Sequence, residues 1–381
     1  METQAIYLDY NATTPIDPQV AEAMLPYLYE RFGNPSSTHP YGVIAREAVE
    51  NARGQVAACL GCRSAEVIFT SGGTESNNYA IKGVALAQPG RRRRIITSAV
   101  EHPAVVEVCD WLSTQGFQIA VLPVDETGRV DPADLAQTIT NDTLLVTIMQ
   151  ANNEVGTIQP IAELAEITHA HGALFHTDAA QAVGKIPARV DELGVDLLSV
   201  AGHKLYAPKG VGALYIREGV QLAKLMHGAG QEQGRRPSTE NVLEIVGLGK
   251  ACELAARDPE AERSHLRTLR DRLQAGLFRE LGDGRVRLNG HPEERLPNTA
   301  SISFRDVRAN ILLAKIRQEV AASAGAACHA DTVDVSAVLQ AMNVPQDWAM
   351  GTVRFSVGRP TTEAEIDDAI EVVANAVRRQ A

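Results

Sequence analysis

Three short stretches set reactive side chains where apolar runs give way to turns. "SVAGHKLYAPKG" (199–210) puts His203 and Lys204 just past a strand-like run and ahead of a Pro-Lys-Gly turn. A lysine at the carboxyl end of a buried strand faces a ligand crevice, where burial lowers its pKa and makes it a Schiff-base nucleophile. The competing reading is a surface lysine in a turn. "FHTDAAQ" (175–181) ends a second run on Asp178. A carboxylate there either pairs with a protonated group such as a heterocyclic nitrogen or caps a helix. "TSGGTESNN" (70–78) passes through two glycines into a helical pattern. Its backbone N–H groups, with hydroxyls from Thr70, Ser71 and Thr74, make an anion site or a plain turn. The stretch matches neither the Walker nor the dinucleotide pattern. A fourth stretch, "SAGAACHAD" (323–331), sets Cys328 among small residues, an odd setting for a core cysteine. Such a thiol is a nucleophile if its pKa is lowered or a base stands near it.

Together the first three are more specific than any one. A phosphate cup, a strand-end acid and a strand-end lysine 26 residues further on are what pyridoxal phosphate requires: donors for its phosphate, an acid for its ring nitrogen and an amine for its aldehyde.

The elements that must hold these groups are legible as alternating runs. "EVIFTS" (66–71), "RIITSAV" (94–100), "QIAVLPV" (118–124), "TLLVTIMQ" (143–150), "ALFHTDAA" (173–180), "VDLLSVAG" (195–202) and "VGALYI" (211–216) read as strands. Several are continuously apolar, as strands covered on both faces are. Helical patterns such as 75–87 and 161–172 separate them. This is an α/β layout with a mainly parallel sheet, whose ligands sit beyond the carboxyl ends of the strands. From Asn241 the pattern shifts to one long helix, or two joined near Pro259, then to short strands and helices of a smaller α+β unit. The expected division is a large cofactor-binding domain over 16–256 and a small domain from 1–15 and 257–381 that carries the Cys328 loop.

The totals narrow the function. A chain of 381 residues with 45% apolar residues can bury a large core. A net charge of −11 argues against nucleic acid or an anionic membrane as main partner. No run of about 18 apolar residues suggests a membrane span, and the first residues lack a signal-peptide core. Five cysteines are too few for a disulfide framework, so a reducing cytoplasm is expected. Cys59 and Cys62 form a C-x-x-C, but no second pair stands at zinc spacing and no metal site is expected. Cys109 reads as core, and Arg91–Arg94 as a solvated loop edge.

"YLDYNATTP", "GNPSS", "FTSGGTESNN", "VEHPAV", "NNEVGTIQP", "HTDAAQAVGK", "GHKLYAPKG", "RRPSTEN", "SAGAACH" and "RFSVGR" resemble the NifS-like cysteine desulfurases and selenocysteine lyases, pyridoxal phosphate enzymes of fold type I. The resemblance covers nearly the whole chain. It implies that Lys204 holds the cofactor covalently, that His102 stacks on its ring and moves protons, and that Asp178 pairs with its ring nitrogen. Asn153 and Gln181 would reach the ring hydroxyl, and Thr74 and His203 the phosphate. Thr239 would reach the cofactor phosphate of a partner subunit in a homodimer. Arg354 would clamp the substrate carboxylate, with Asn34 nearby. Cys328 would take sulfur from L-cysteine as a persulfide, leaving L-alanine, and pass it to an acceptor protein, as in iron–sulfur cluster assembly. The alternative within the family is selenium release from L-selenocysteine. Ala201, where many desulfurases carry a phosphate-binding serine, and "GAACH" lean that way; the loop from Cys328 to Val338 leans toward desulfurases. His329 either lowers the pKa of Cys328 or is merely solvated. A thiol hydrolase built on Cys328 is the rival from another class; it leaves Asp178, Lys204 and the phosphate cup unexplained.

Overall fold

The computed structural model describes residues 5–87, 93–329 and 332–380. In chain order its strands are β1 (Ile6–Tyr7), β2 (Val67–Thr70), β3 (Arg94–Ser98), β4 (Gln118–Leu122), β5 (Thr143–Thr147), β6 (Leu174–Asp178), β7 (Leu197–Ala201) and β8 (Gly212–Ile216). Then come β9 (Val286–Asn289), β10 (Thr299–Phe304), β11 (Val320–Ala321), β12 (Ser323–Ala324), β13 (Ala326–His329), β14 (Thr332–Val335) and β15 (Thr352–Ser356).

Seven strands form one sheet in the order β2-β8-β7-β6-β5-β3-β4. β3 to β7 pair in parallel, whereas β8 runs antiparallel to both β7 and β2. Two reversals restore direction, so β2 ends on the same side as β3, β5, β6 and β7. Every residue of β2, β5, β7 and β8 is buried, which accounts for the unbroken apolar runs. The edge strand β4 is partly exposed and alternates weakly. Apolar runs report burial but not direction, so the antiparallel β8 is not visible in them.

The turn after β2 must come close to β8. A Cβ on Gly212 would stand 2.5 Å from the Val200 carbonyl oxygen and 2.7 Å from the Cα of Gly72. Only glycine fits there, and that lets the Gly72–Gly73 turn settle at the sheet's carboxyl edge.

The segment after Asn241 is two helices, Val242–Ala255 and Pro259–Leu281, with Asp258 capping the second and Pro259 at its first position. A second sheet, β12-β15-β10-β9, packs with Leu8, Leu269, Leu273 and Ile370 into its own core. The β1 strand pairs with β11, so the chain's first described residues belong to this smaller unit. The Cys328 segment is not a bare loop. β13 and β14 pair antiparallel, with Cys328 opposite Val333. Ala330 and Asp331, between these strands, lie outside the described residues, as do Arg91 and Arg92.

Candidate active site

A cleft of about 310 Å³ opens where the strands end. β7 delivers Lys204 through a single turn of 3-10 helix, Gly202–Lys204. Its Nζ donates to the carbonyls of Asn11 (2.5 Å) and Ala12 (2.8 Å). Burial, then the nearby positive charge of Arg354, lowers its pKa to about 8. β6 delivers Asp178. Its two oxygens accept from the Asn77 amide (2.6 Å) and the Ala180 N–H (2.9 Å). The helix-cap reading of Asp178 does not hold, because a turn and not a helix follows β6; the carboxylate satisfies one local backbone N–H and lines the cleft.

After β3 the chain turns into the helix Pro103–Thr114, and His102 is its N-cap. Nδ1 accepts from the Ala104 N–H at 3.0 Å, which fixes the ring and leaves Nε2 toward the cleft. Burial holds its pKa below the usual histidine range, against the pull of Asp178. Histidine is an uncommon N-cap, and the sequence reading missed this role. The residue before it, Glu101, is buried and pushed up to about 8 by desolvation. Its carboxyl accepts from the Met149 N–H and Ser98 Oγ, tying the end of β5 to the start of this helix.

β2 leads into the helix Gly73–Ala87, so Gly73 and Thr74 line one end of the cleft with Ala201 and His203. The His203 ring contacts Thr13 Oγ1 at 3.2 Å, and its pKa falls to about 4 through burial and neighbouring lysines. At the other end stands Arg354, from β15 of the smaller unit. Its guanidinium donates to Asp9 Oδ1 (2.7 Å), Ser323 Oγ (3.0 Å) and the Asn153 carbonyl (3.0 Å).

Lys204, His102, Asp178, Thr74, Asn153, Gln181, His203 and Arg354 thus share one cleft. Two expected residues do not join them: Asn34 and Thr239 are exposed on this chain and outside the cleft. Cys328 has its backbone in β13, while its side chain lies outside what the structure describes. The sequence reading also missed Asn11, whose carbonyl meets both Lys204 and Gln181. Cys59 and Cys252 share a thiol hydrogen bond, and burial with nearby acids pushes Cys62 up to about 12. Cys109 is buried core. Among the described residues no cluster could hold a metal ion, and no helix is long and apolar enough to cross a membrane.

The aminotransferase class-V family model matches residues 6–368. The chain belongs to that family. It is 49% identical over 375 residues to the cysteine desulfurase IscS of Dictyoglomus turgidum, covering 98% of this chain and 95% of the relative. To the cysteine desulfurase IscS of Methanosarcina thermophila it is 47% identical over 379 residues, covering 99% and 93%. A solved NifS-like protein superposes with a TM-score of 0.93 at 38% identity, covering 99% of this chain and all of that one. This class-V enzyme uses pyridoxal phosphate, and the donor set fits it: an amine, a buried carboxylate, an imidazole and the N-terminus of a helix in one cleft. Two buried polar atoms of the class-V cleft residues, Asn77 Oδ1 and Arg354 Nε, have no protein partner, as expected where a polar ligand completes a site.

Proposed function

We propose that the enzyme is a cysteine desulfurase that takes sulfur from L-cysteine, leaves L-alanine, and holds the sulfur on Cys328 for an acceptor protein. One observation carries the reading. Lys204, Asp178, His102 and Arg354 share a cleft, and Arg354 is bonded to Ser323, five residues before Cys328. The name borne by the curated relatives supports the same activity.

Bound in this cleft, pyridoxal phosphate supplies a sink for the electron pair released at the substrate Cα. Lys204 would hold the group through its aldehyde and, with substrate in place, would take the Cα proton; an amine with a pKa of about 8 suits both tasks. Asp178, fixed by Asn77 and Ala180, keeps the ring nitrogen protonated. His102 would lie over the ring, and Nε2 is the nitrogen free to move a proton, since Nδ1 is engaged. Thr74 and His203 serve the phosphate, Asn153 and Gln181 the ring hydroxyl. Arg354 clamps the substrate carboxylate, which its forked geometry suits. The Cys328 thiolate then attacks the substrate sulfur. An S–S bond forms as the Cβ–S bond breaks, the electron pair stays with Cβ, and two protons complete alanine: one at Cβ and the one that Lys204 returns to Cα. The exchange is redox-neutral and leaves a persulfide.

Ala201 sits beside Gly73, whose added Cβ would meet it at 3.2 Å. Its place beside that glycine supports a bearing on how the phosphate would be held.

The active form is a homodimer with composite sites. Supporting this, Leu28, Tyr29, Phe32 and Tyr41 are 57%, 66%, 70% and 55% exposed, an apolar concentration that marks an interface. Thr239, exposed and outside the cleft of its own chain, would serve the partner's cleft. The free thiols Cys59, Cys109 and Cys252 suit a reducing cytoplasm. The test is an assay of the purified holoenzyme with L-cysteine and with L-selenocysteine, measuring alanine, sulfide and selenide. Alanine and sulfide in equal amounts from L-cysteine support the reading; selenide from selenocysteine with no turnover of cysteine overturns it.

A further inference from the structure

The mechanism above makes no use of Lys185, although its charged side chain is buried, 7% exposed. It sits in the turn after β6, four residues past Gln181. Among the described residues no carboxylate pairs with it. The acid that influences it, Glu262, is committed to Arg359 at 2.7 Å. The hydrogen bond that Lys185 does make is to Gln181 Oε1, at 2.7 Å. Gln181 in turn donates Nε2 to the Asn11 carbonyl at 2.9 Å, the same carbonyl that accepts from Lys204.

This chain settles which way the Gln181 amide points. An ammonium can only donate, so it meets the oxygen of a carboxamide and not its NH2, and a backbone carbonyl can only accept. Both partners therefore demand the same orientation. One N–H of Gln181 goes to Asn11, and the second is left for the cleft that Gln181 lines. Without Lys185 only the Asn11 carbonyl holds the amide in this orientation, and turning it over to present its oxygen costs less. An oxygen facing the ring hydroxyl oxygen of the cofactor would repel it.

We propose that Lys185 is a positioning residue that locks the Gln181 carboxamide as a hydrogen-bond donor toward the cofactor's ring oxygen. The inference rests on the cofactor placement given above. It explains why an unpaired amine is kept in the interior, where desolvation lowers its pKa to about 7, although an apolar side chain would be cheaper to bury. Tyr10, Lys204, Tyr206, Glu262, Arg354 and Arg359 also face or influence this amine, so a pH readout needs a control that isolates Gln181.

A donor on the ring oxygen draws off negative charge that would otherwise favour protonation of the nitrogen joining Lys204 to the cofactor. Losing it must raise the pH at which that linkage titrates. The experiment is a pH titration of the bound cofactor's absorbance in the holoenzyme, for wild type, Lys185→Met, Gln181→Leu and the double variant, with Lys185→Arg as the donor-retaining control. Lys185→Met and Gln181→Leu should each raise the midpoint by about one pH unit, the double variant should go no further, and Lys185→Arg should match wild type. Should methionine prevent folding, Lys185→Ala takes its place. An unmoved midpoint in Lys185→Met overturns the inference. So does a shift that adds to that of Gln181→Leu, which would mean that the lysine acts by its charge alone, or a shift in Lys185→Arg. The titration does not depend on turnover, so a failure of the desulfurase reading would show in the substrate assay and leave this result intact.

Discussion

Lys204 is the group whose chemistry the structure predicts most quantitatively. An ordinary lysine with a pKa of 10.5 has about one amine in 3,000 unprotonated at pH 7. Burial and the Arg354 charge bring Lys204 to about 8, which leaves about one in ten unprotonated and a nucleophile about 300-fold more available. Competitive trace acetylation of the cofactor-free enzyme across pH 6 to 11, read at the Lys204 peptide and normalised to free lysine, measures this directly. The midpoint should fall near 8. Two substitutions should move it in opposite directions. Arg354→Met removes a positive neighbour and raises it; Asp178→Asn removes a negative one and lowers it. The same shift has a sign in stability. A lysine with a lowered folded pKa opposes folding below about pH 8, and that penalty fades as pH rises toward 10.5. A Lys204 midpoint above 10, unmoved by either substitution, would refute the reasoning.

Further outcomes follow from named contacts. Arg354→Ala should raise KM for L-cysteine by about 100-fold, the loss of about 3 kcal/mol of charged hydrogen bonding; an unchanged KM would remove Arg354 from the clamp. Arg53 and Glu232 form a buried two-point ion pair at 2.7 and 2.9 Å that also ties Glu232 to the Phe69 N–H. Arg53→Met leaves that carboxylate unpaired and should destabilise the fold by about 3–5 kcal/mol in denaturant titrations. It should also loosen the nearby Thr239 segment. Phe32→Asp, in the exposed apolar stretch, should shift the molecule toward monomer in sedimentation analysis and lower activity with it; a fully active monomer would argue against composite sites.

Much of this architecture is legible in the chain because burial leaves a mark on composition. The apolar runs of β5, β7 and β8 mark covered strands, and Asp178 and Lys204 stand out because charge at the end of such a run must have a purpose. The pieces that stay hidden depend on contacts between distant segments. Asn11 meets Lys204 across 193 positions, and Arg354 meets Asp9 across 345; no local pattern encodes either. His102 as an N-cap was hidden because histidine is not among the residues favoured there. The β13–β14 pairing was missed because Gly-Ala-Ala-Cys carries no strand periodicity. Asn34 and Thr239 follow only from family resemblance, and neither lines the cleft of its own chain.

The central claim is that sulfur leaves L-cysteine by transfer to Cys328. The most direct measurement is one turnover of the holoenzyme with L-cysteine in the absence of reductant, followed by mass analysis of the peptide containing Cys328 and quantitation of alanine. The account predicts a mass gain of one sulfur atom on that peptide, matched by one alanine per active site, and no alanine from Cys328→Ala with L-cysteine. With L-selenocysteine the same variant should keep part of its activity, since a selenol leaves more readily than a thiol. Full desulfuration of L-cysteine by Cys328→Ala, or alanine formed with no sulfur on the Cys328 peptide, would contradict it.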